Sequence, residues 1–373
     1  MSKPLLPFWP NTLRRFGNIF FGTVSVVVSL TVVSVGFSIL GGILTLVSGG
    51  ADDIDRYRFV AGKQGSRNRL LQISVRGPIL GSPIAEGSSF GLASLAGITY
   101  GYQVQTELEK AAKDSSVKGI FLHVTTPGGT IFGSQAIYDG IKAYRQKTGK
   151  PVIAFVEGLA ASGGVWAIVG ADKIYADYGS LVGSIGVLGP TLQFYDKPIA
   201  VSGGLFGGGV TTQNGIEQTI ISAGRGKDLG NPFRRPTAAE LQSLKSGIES
   251  EYKIFVDHVA KARKIKPEVI RNQMGAMIFD NQAAQKFGLI DGTLGRSAAL
   301  ATLANQANLG ENFQLVRTRP ETTSLLSQLL GAQLPQPTET QTKVAQAQIA
   351  QEVCAMTQQR SLVYYGDVRE LCR

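Results

Sequence analysis

The chain has 373 residues, of which 43% are hydrophobic and 17% charged, with 46 glycines and a formal net charge of +10. This composition excludes an intrinsically disordered protein, a coiled coil and a disulfide-stapled miniprotein. With only two histidines, His123 and His258, and two cysteines, Cys354 and Cys372, a closed Cys/His zinc site is not expected.

Residues 16–51 contain no charged side chain, a run of 36 positions. A spanning helix needs about 20 apolar residues, and a signal-peptide core only about 7–15. The run therefore reads as a transmembrane anchor. Lys3, Arg14 and Arg15 precede it, and Asp52, Asp53 and Asp55 follow. The positive-inside rule then puts the N-terminus in the cytoplasm and the body on the extracytoplasmic side. As one helix the run would extend about 54 Å, beyond the roughly 30 Å of hydrocarbon. Gly41-Gly42 either ends a single span or marks a hairpin. The body's basic residues form short clusters such as Lys261, Arg263, Lys264 and Lys266. They suit anionic lipid headgroups better than nucleic acid, which calls for a denser stripe with interleaved aromatics.

The body alternates strands and helices. Residues 70–76 read as a strand closed by Gly77-Pro78, and a Gly/Ser-rich loop covers about 81–101. Residues 102–113 have helical spacing. The apolar run 119–124 suits a buried parallel strand, broken by Thr126-Pro127-Gly128-Gly129. A helix is expected over 134–148, with Ile137, Ile141 and Tyr144 on one stripe. A buried strand at 152–156, a short helix at 162–169 and a strand at 173–176 follow. Residues 219–222 look strand-like. Thr237 with Glu240 forms a capping box opening a long helix to about 264. Residues 320–351 are rich in Pro, Thr and Gln and read as a linker or mobile tail. This order gives an α/β class built from βαβ crossovers. The expected division is a cytoplasmic N-terminus (1–15), an anchor (16–51), a linker (52–67), a body (68–319) and a tail (320–373).

Chemistry concentrates at two small-residue turns. Ala160-Ala161-Ser162-Gly163-Gly164 follows a strand and opens a helix, so neighbouring amides could stabilise an oxyanion while Ser162 attacks a carbonyl. Read alone, it is more simply a Ser/Gly helix cap. Thr125-Thr126-Pro127-Gly128-Gly129 ends a buried strand, where α/β sites collect, or is an ordinary Pro-Gly turn. The letters Gly-x-Ser-x-Gly at Gly87–Gly91 lie in the low-complexity loop and carry no such context. A serine needs a base. His123 lies within a buried strand and His258 on the long helix, so each reads as a packing or surface histidine. A lysine can serve if burial lowers its pKa towards about 7–8. Lys227, in the turn-rich stretch after 222, is one such residue, or else a solvated loop lysine.

Five segments, in order, resemble the signal peptide peptidase A and protease IV family of bacterial serine peptidases. They are Ile73-Ser74-Val75-Arg76-Gly77-Pro78-Ile79, Pro127-Gly128-Gly129, Ala160-Ala161-Ser162-Gly163-Gly164, Gly183-Ser184-Ile185-Gly186-Val187, and Gly224-Arg225-Gly226-Lys227-Asp228 with Pro232-Phe233-Arg234. The resemblance covers residues 68–300. It implies a crotonase- and Clp-protease-like spiral of βαβ units. It also implies Ser162 as nucleophile, Lys227 as general base, Ser184 orienting that lysine, and Gly129 and the Gly163 amide at the oxyanion site. No cofactor or metal is implied. The implied partners are peptides such as cleaved signal peptides, membrane lipid and further copies of the chain in a ring. In that ring serine and lysine can come from adjacent subunits. Thr125-Thr126 stands where Asn-Ser is common, and Val165-Trp166 replaces a usual aromatic pair. The segment 194–215 is longer than typical. The expected protein is a single-pass inner-membrane endopeptidase of a bacterial cell. A catalytically silent scaffold of the same fold and a crotonase-type acyl-CoA enzyme are the alternatives. An extracytoplasmic body permits a disulfide between Cys354 and Cys372, and two free thiols are the other reading.

Overall fold

The computed structural model describes residues 56–82, 97–196, 218–319 and 362–364. The chain falls into two units, Met1–Arg58 and Phe59–Arg373, and nearly all described residues belong to the second. The expected anchor, most of the expected tail and both cysteines lie outside the described residues. Among the described residues no helix is long and apolar enough to cross a membrane.

In chain order the elements begin with β1 (Tyr57–Gly62), β2 (Arg69–Arg76), β3 (Ile79–Leu80), β4 (Thr99–Tyr100), α1 (Gly101–Lys113), β5 (Val117–Thr126) and β6 (Gly128–Thr130). They continue with α2 (Ile131–Thr148), β7 (Val152–Ala161), α3 (Gly163–Ile168), β8 (Lys173–Ala176), β9 (Leu181–Gly183) and α4 (Ala238–Arg263). A short turn, α5 (Pro267–Val269), leads into one π-helical turn, Ile270–Met274. β10 (Ile278–Phe279), α6 (Asn281–Lys286), β11 (Gly292–Thr293), α7 (Arg296–Gln306), β12 (Gln314–Thr318) and β13 (Leu362–Tyr364) complete the order.

The main sheet runs β1-β12-β2-β5-β7-β8-β11, and β9 extends from β7 with β10 beside it. The pairs among β12, β2, β5, β7, β8 and β11 are parallel, and β10 pairs antiparallel with β9. A second sheet runs β13-β6-β3-β4. β5 sits between β2 and β7, and nearly all its residues are buried, as the apolar run at its centre, Ile120-Phe121-Leu122, requires. Phe121 and Phe155 stack at 5.6 Å and join Leu70, Ile153, Leu303 and Leu315 in one core cluster with α7. Each such fully buried side chain contributes about 1.5–3 kcal/mol. On α2, Ile137, Ile141 and Tyr144 are buried, as their stripe predicts. α2 packs against α1 and α3.

Several boundaries differ from the sequence reading. β7 runs on to Ala161, because its second half gains a partner in β9: Leu159 pairs with Leu181 and Ala161 with Gly183. The Pro-Gly-Gly segment does not only end β5. Its glycines begin a strand of the second sheet. β4 lies at the end of the expected Gly/Ser-rich loop, paired with β3. The strand-like residues 219–222 form no strand. They are exposed and have no sheet edge to join. The Thr237–Glu240 capping box is present as read.

Candidate active site

The two small-residue turns meet. Thr126, at the end of β5, pairs with Ala160 of β7 and is fully buried. Its Oγ1 donates to the Gly77 carbonyl at 2.6 Å and accepts the Gly128 amide at 3.0 Å, which fixes the Pro-Gly-Gly turn. A Cβ on Gly164 would stand 2.6 Å from Thr126 Cγ2, so glycine is what lets α3 begin against that turn. A Cβ on Gly129 would stand 1.9 Å from the Ile79 carbonyl oxygen. Both glycines serve close backbone approach.

Ser162 joins β7 to α3 with φ 53° and ψ −115°. A non-glycine residue there costs about 1–3 kcal/mol and persists only where the surroundings over-determine it. Its amide donates to the Gly183 carbonyl at 2.8 Å, and its carbonyl accepts from the Trp166 amide at 3.0 Å. A sharp, strained strand-to-helix turn is the geometry that presents a nucleophilic serine. Ser162 Oγ donates to the Gly186 carbonyl at 3.4 Å, and the residue is fully buried. The first amides of a helix have no intrahelical acceptor, which places the Gly163 and Gly164 amides beside Ser162.

Ser184 follows Gly183 as Ser162 follows Ala161, at the end of the same β7–β9 ladder. It too has positive φ, 55°, and its amide donates to the Met277 carbonyl at 2.7 Å. The fold thus brings Ser162, Ser184, Gly163 and the turn that carries Gly129 to one end of the β7–β9 ladder and the second sheet.

Lys227 is not joined to them by a hydrogen bond. Its side chain is exposed in the turn at 224–230, and its amide donates to the Gly224 carbonyl at 3.2 Å. Arg234 holds that turn. Its guanidinium grips Asp228 with two bonds of 2.7 Å and reaches Glu240 at 2.7 and 3.0 Å. Arg234 holds the Glu240 carboxyl down at about 2 and also depresses that of Asp228. Because Glu240 belongs to the capping box of α4, Arg234 ties the Lys227 turn to the start of that helix.

Neither histidine faces Ser162. His123 Nε2 meets Glu157 Oε2 at 2.5 Å, while Nδ1 accepts from Gln72 at 3.3 Å and Arg76 at 3.2 Å. Burial lowers its pKa, and Glu157 opposes that shift. His258 Nε2 donates to the Trp166 carbonyl at 2.9 Å, and its ring stacks on Trp166 at 4.8 Å with Tyr138 edge-on at 4.3 Å. Burial lowers its pKa as well. Among the described residues no cluster of three or more His, Cys, Asp or Glu is placed to hold a metal ion.

Residues 144–310 match the model of Peptidase family S49, and residues 99–176 match that of Clp protease. A candidate protease of Methanocaldococcus jannaschii is 35% identical over 202 residues, 54% of this chain and 60% of that one. A candidate signal peptide peptidase SppA of Enterococcus faecium is 28% identical over 71% of each chain. Protease 4 of Haemophilus influenzae is 32% identical over 60% of this chain and 32% of its own. The chain is thus similar to signal peptide peptidase A and protease IV proteins across its S49-like region. The match to the archaeal relative spans less than two thirds of that relative's length. The mixed sheet is that of a Clp-protease-like α/β fold.

Sequence reading passed over three structural residues here. Arg234 stood within a quoted motif without a role. Thr126 stood out as part of the Pro-Gly-Gly turn and as a departure from the family pattern, without its role in fixing that turn. His258 looked like a surface or packing residue, and its bond to the helix that follows Ser162 depends on a contact 92 positions away. β13, on the far side of β6, left no signal beyond the three apolar letters Leu362-Val363-Tyr364.

Proposed function

We propose that this chain is a membrane-anchored serine endopeptidase in which Ser162 attacks a peptide carbonyl and Lys227 serves as general base. The observation that carries the reading is the backbone of Ser162, held at a strained strand-to-helix turn beside glycine amides. Lys227 takes the hydroxyl proton as the Ser162 Oγ–carbonyl bond forms. The amides of Gly163 and the Gly129 turn stabilise the oxyanion, and the amine leaves with a proton returned by the lysine. Water activated by Lys227 then releases the acyl group. Ser184 orients the lysine.

A lysine base must be neutral, which requires burial. Lys227 is exposed in the single chain, so in this reading a neighbouring subunit buries it. Ile221, 97% exposed in the segment that leads to Lys227, is an apolar side chain that such a subunit would cover. The apolar run 16–51 supports a membrane anchor, with the peptidase body extracytoplasmic and substrates such as cleaved signal peptides. The domain boundaries at 15, 51, 67 and 319 belong to the same proposal.

The test is peptide hydrolysis by the detergent-solubilised full chain beside Ser162→Ala and Lys227→Ala. Each variant alone should be inactive. Mixed assemblies of the two should regain part of the activity, since some interfaces then hold both native residues. Equal hydrolysis by all three chains would sink the dyad.

A further inference from the structure

A chain of polar side chains crosses the main sheet and takes no part in the chemistry proposed for Ser162. The period-two alternation of β2, β5 and β7 puts Gln72, His123 and Glu157 on the face that also carries Leu70, Phe121 and Phe155. Gln72 and His123 are buried, and Arg296 opens α7 beside them. Arg296 Nη2 donates to Gln72 Oε1 at 3.1 Å, which leaves the Gln72 amide nitrogen facing His123 Nδ1 at 3.3 Å. Arg76 Nη2 donates to the same Nδ1 at 3.2 Å. Facing two donors, Nδ1 is the acceptor, so His123 is neutral and its proton sits on Nε2, donated to Glu157 Oε2 at 2.5 Å. One run of hydrogen bonds therefore joins α7 to β2, β5 and β7.

The run ends at an irregularity. β7 pairs with β8 as far as Val156 and with β9 from Leu159, so Glu157 and Gly158 pair with neither. Beside them β5 advances from Val124 to Thr126 while β7 advances from Val156 to Ala160. Thr125 Oγ1 donates to the Glu157 carbonyl at 2.7 Å, and Ser180 Oγ accepts the Gly158 amide at 3.0 Å. A bulge beside a site re-aims the strand that leaves it. Here that strand ends at Ala161, and Ser162 follows. A buried histidine and glutamine are costly unless fully paired, and an apolar core would need neither. Their work is to fix geometry.

We propose that Arg296, Gln72, His123 and Glu157 form a positioning network that holds the β7 bulge in one register and so sets where Ser162 stands. The inference rests on the reading of Ser162 as the nucleophile, and it deepens that reading by assigning residues that act on the serine without touching substrate. Arg76 closes the network from the solvent side, 3.9 Å from the Glu157 oxygen that His123 binds.

The test starts from Glu157, whose half-exposed side chain can be cut back without opening the core. Full chains carrying Glu157→Ala, Glu157→Gln and His123→Leu are compared with the wild type. Glutamine keeps an oxygen for the Nε2 proton, whereas alanine and leucine break that bond from either side. Amide exchange is read at Ser162, whose amide bonds the Gly183 carbonyl, with α2 as an internal control of folding. Peptide hydrolysis gives kcat and KM. In Glu157→Ala and His123→Leu the Ser162 amide should exchange about ten-fold faster. Their kcat should fall by about ten- to a hundred-fold with KM within about two-fold, and Glu157→Gln should stay within about three-fold of the wild type. Wild-type exchange and wild-type kcat in Glu157→Ala overturn the network. Equal loss in Glu157→Ala and Glu157→Gln overturns it too, since the carboxylate's charge, and not its bond to His123, would then matter. If His123→Leu also loses protection in α2, the two Glu157 chains decide. An inert wild type would end the peptidase reading, and exchange at Ser162 would still decide whether the network holds that turn.

Discussion

The amide of Ser162 donates to the carbonyl of Gly183 at 2.8 Å, which fastens the proposed nucleophile to the strand that presents Ser184. This bond continues the β7–β9 ladder one residue past its last register pair, Ala161 with Gly183. The ladder fixes where Ser162 stands, and the start of α3 fixes how it turns.

That turn carries strain at φ 53°, which glycine tolerates and alanine does not. Ser162→Gly should therefore unfold at a higher temperature than Ser162→Ala, by about 1 kcal/mol of stability. Peptide hydrolysis should fall by about 10⁴-fold or more in both. Thermal unfolding of the two variants side by side measures the difference. Equal midpoints would mean that the turn is not strained in solution.

Gly129 gives a second, sharper prediction. A methyl group there would meet the backbone oxygen of Ile79 at 1.9 Å, and no rotamer change relieves a backbone contact. Gly129→Ala should push β6 from β3 and cost about 1–3 kcal/mol, with a parallel loss of hydrolysis. Gly295→Ala is the control. Its φ is −67° and nothing lies within 4 Å of the added carbon, so it should change stability by less than about 0.5 kcal/mol. Urea unfolding of the two chains decides between a packing role and a merely flexible one.

What the sequence disclosed was mostly local. The capping box at Thr237 and Glu240 spans three positions, and the apolar run of β5 needs no distant partner to be recognised. Ser162 stood out because small residues flank it at the junction of a strand and a helix. Pairings across long separations were hidden. The second half of β7 reads poorly, since Glu157 and Gly158 break its apolar pattern, yet β9 completes it. Residues 219–222 show the converse: Ile220 and Ile221 suit a strand, but no edge receives them and they stay exposed. The Lys227 motif was legible as letters, while its exposure in the single chain depends on how the turn is held by Arg234.

Arg234 therefore yields a prediction with a pH sign. Glu240 titrates at about 2 in the folded chain, below its usual 4.5, because Arg234 and the Thr237 amide bond its carboxylate. A depressed carboxylate stabilises fully above its unfolded pKa and loses that contribution as pH falls through the folded value. The stability difference between wild type and Arg234→Ala should be constant above about pH 5 and shrink as pH falls towards 2. Arg234→Lys should recover only part of it, because an ammonium cannot grip Asp228 and Glu240 with the same planar fork. Thermal unfolding across pH 2–7 reads the effect, and a difference that does not narrow in acid would remove the clamp from the argument.

His258 acts on the site through Trp166, whose carbonyl it binds and whose ring it stacks upon. Trp166 in turn bonds Gln135 through Nε1 at 2.7 Å and packs on Phe255, so α3 is held from two sides. Replacing His258 by alanine should loosen α3 and lower kcat several-fold, while the rising limb of the pH–rate profile, which the base sets, keeps its position, since His258 is not the base. The acid side separates positioning from simple packing. Burial lowers the His258 pKa from its ordinary 6.5, so the unfolded chain takes up its proton first as pH falls. The stability that neutral His258 contributes is complete above about pH 6.5 and is lost as pH falls through its depressed folded value. His258→Phe keeps a stacking ring without a titrating group, so its unfolding midpoint should decline less steeply over that window than the wild type's. His123, also lowered by burial, remains in both chains and cancels in the difference. Parallel curves for the two proteins would show that His258 does not titrate against the fold, and a shifted rising limb of the pH–rate profile would show that it takes part in the chemistry itself.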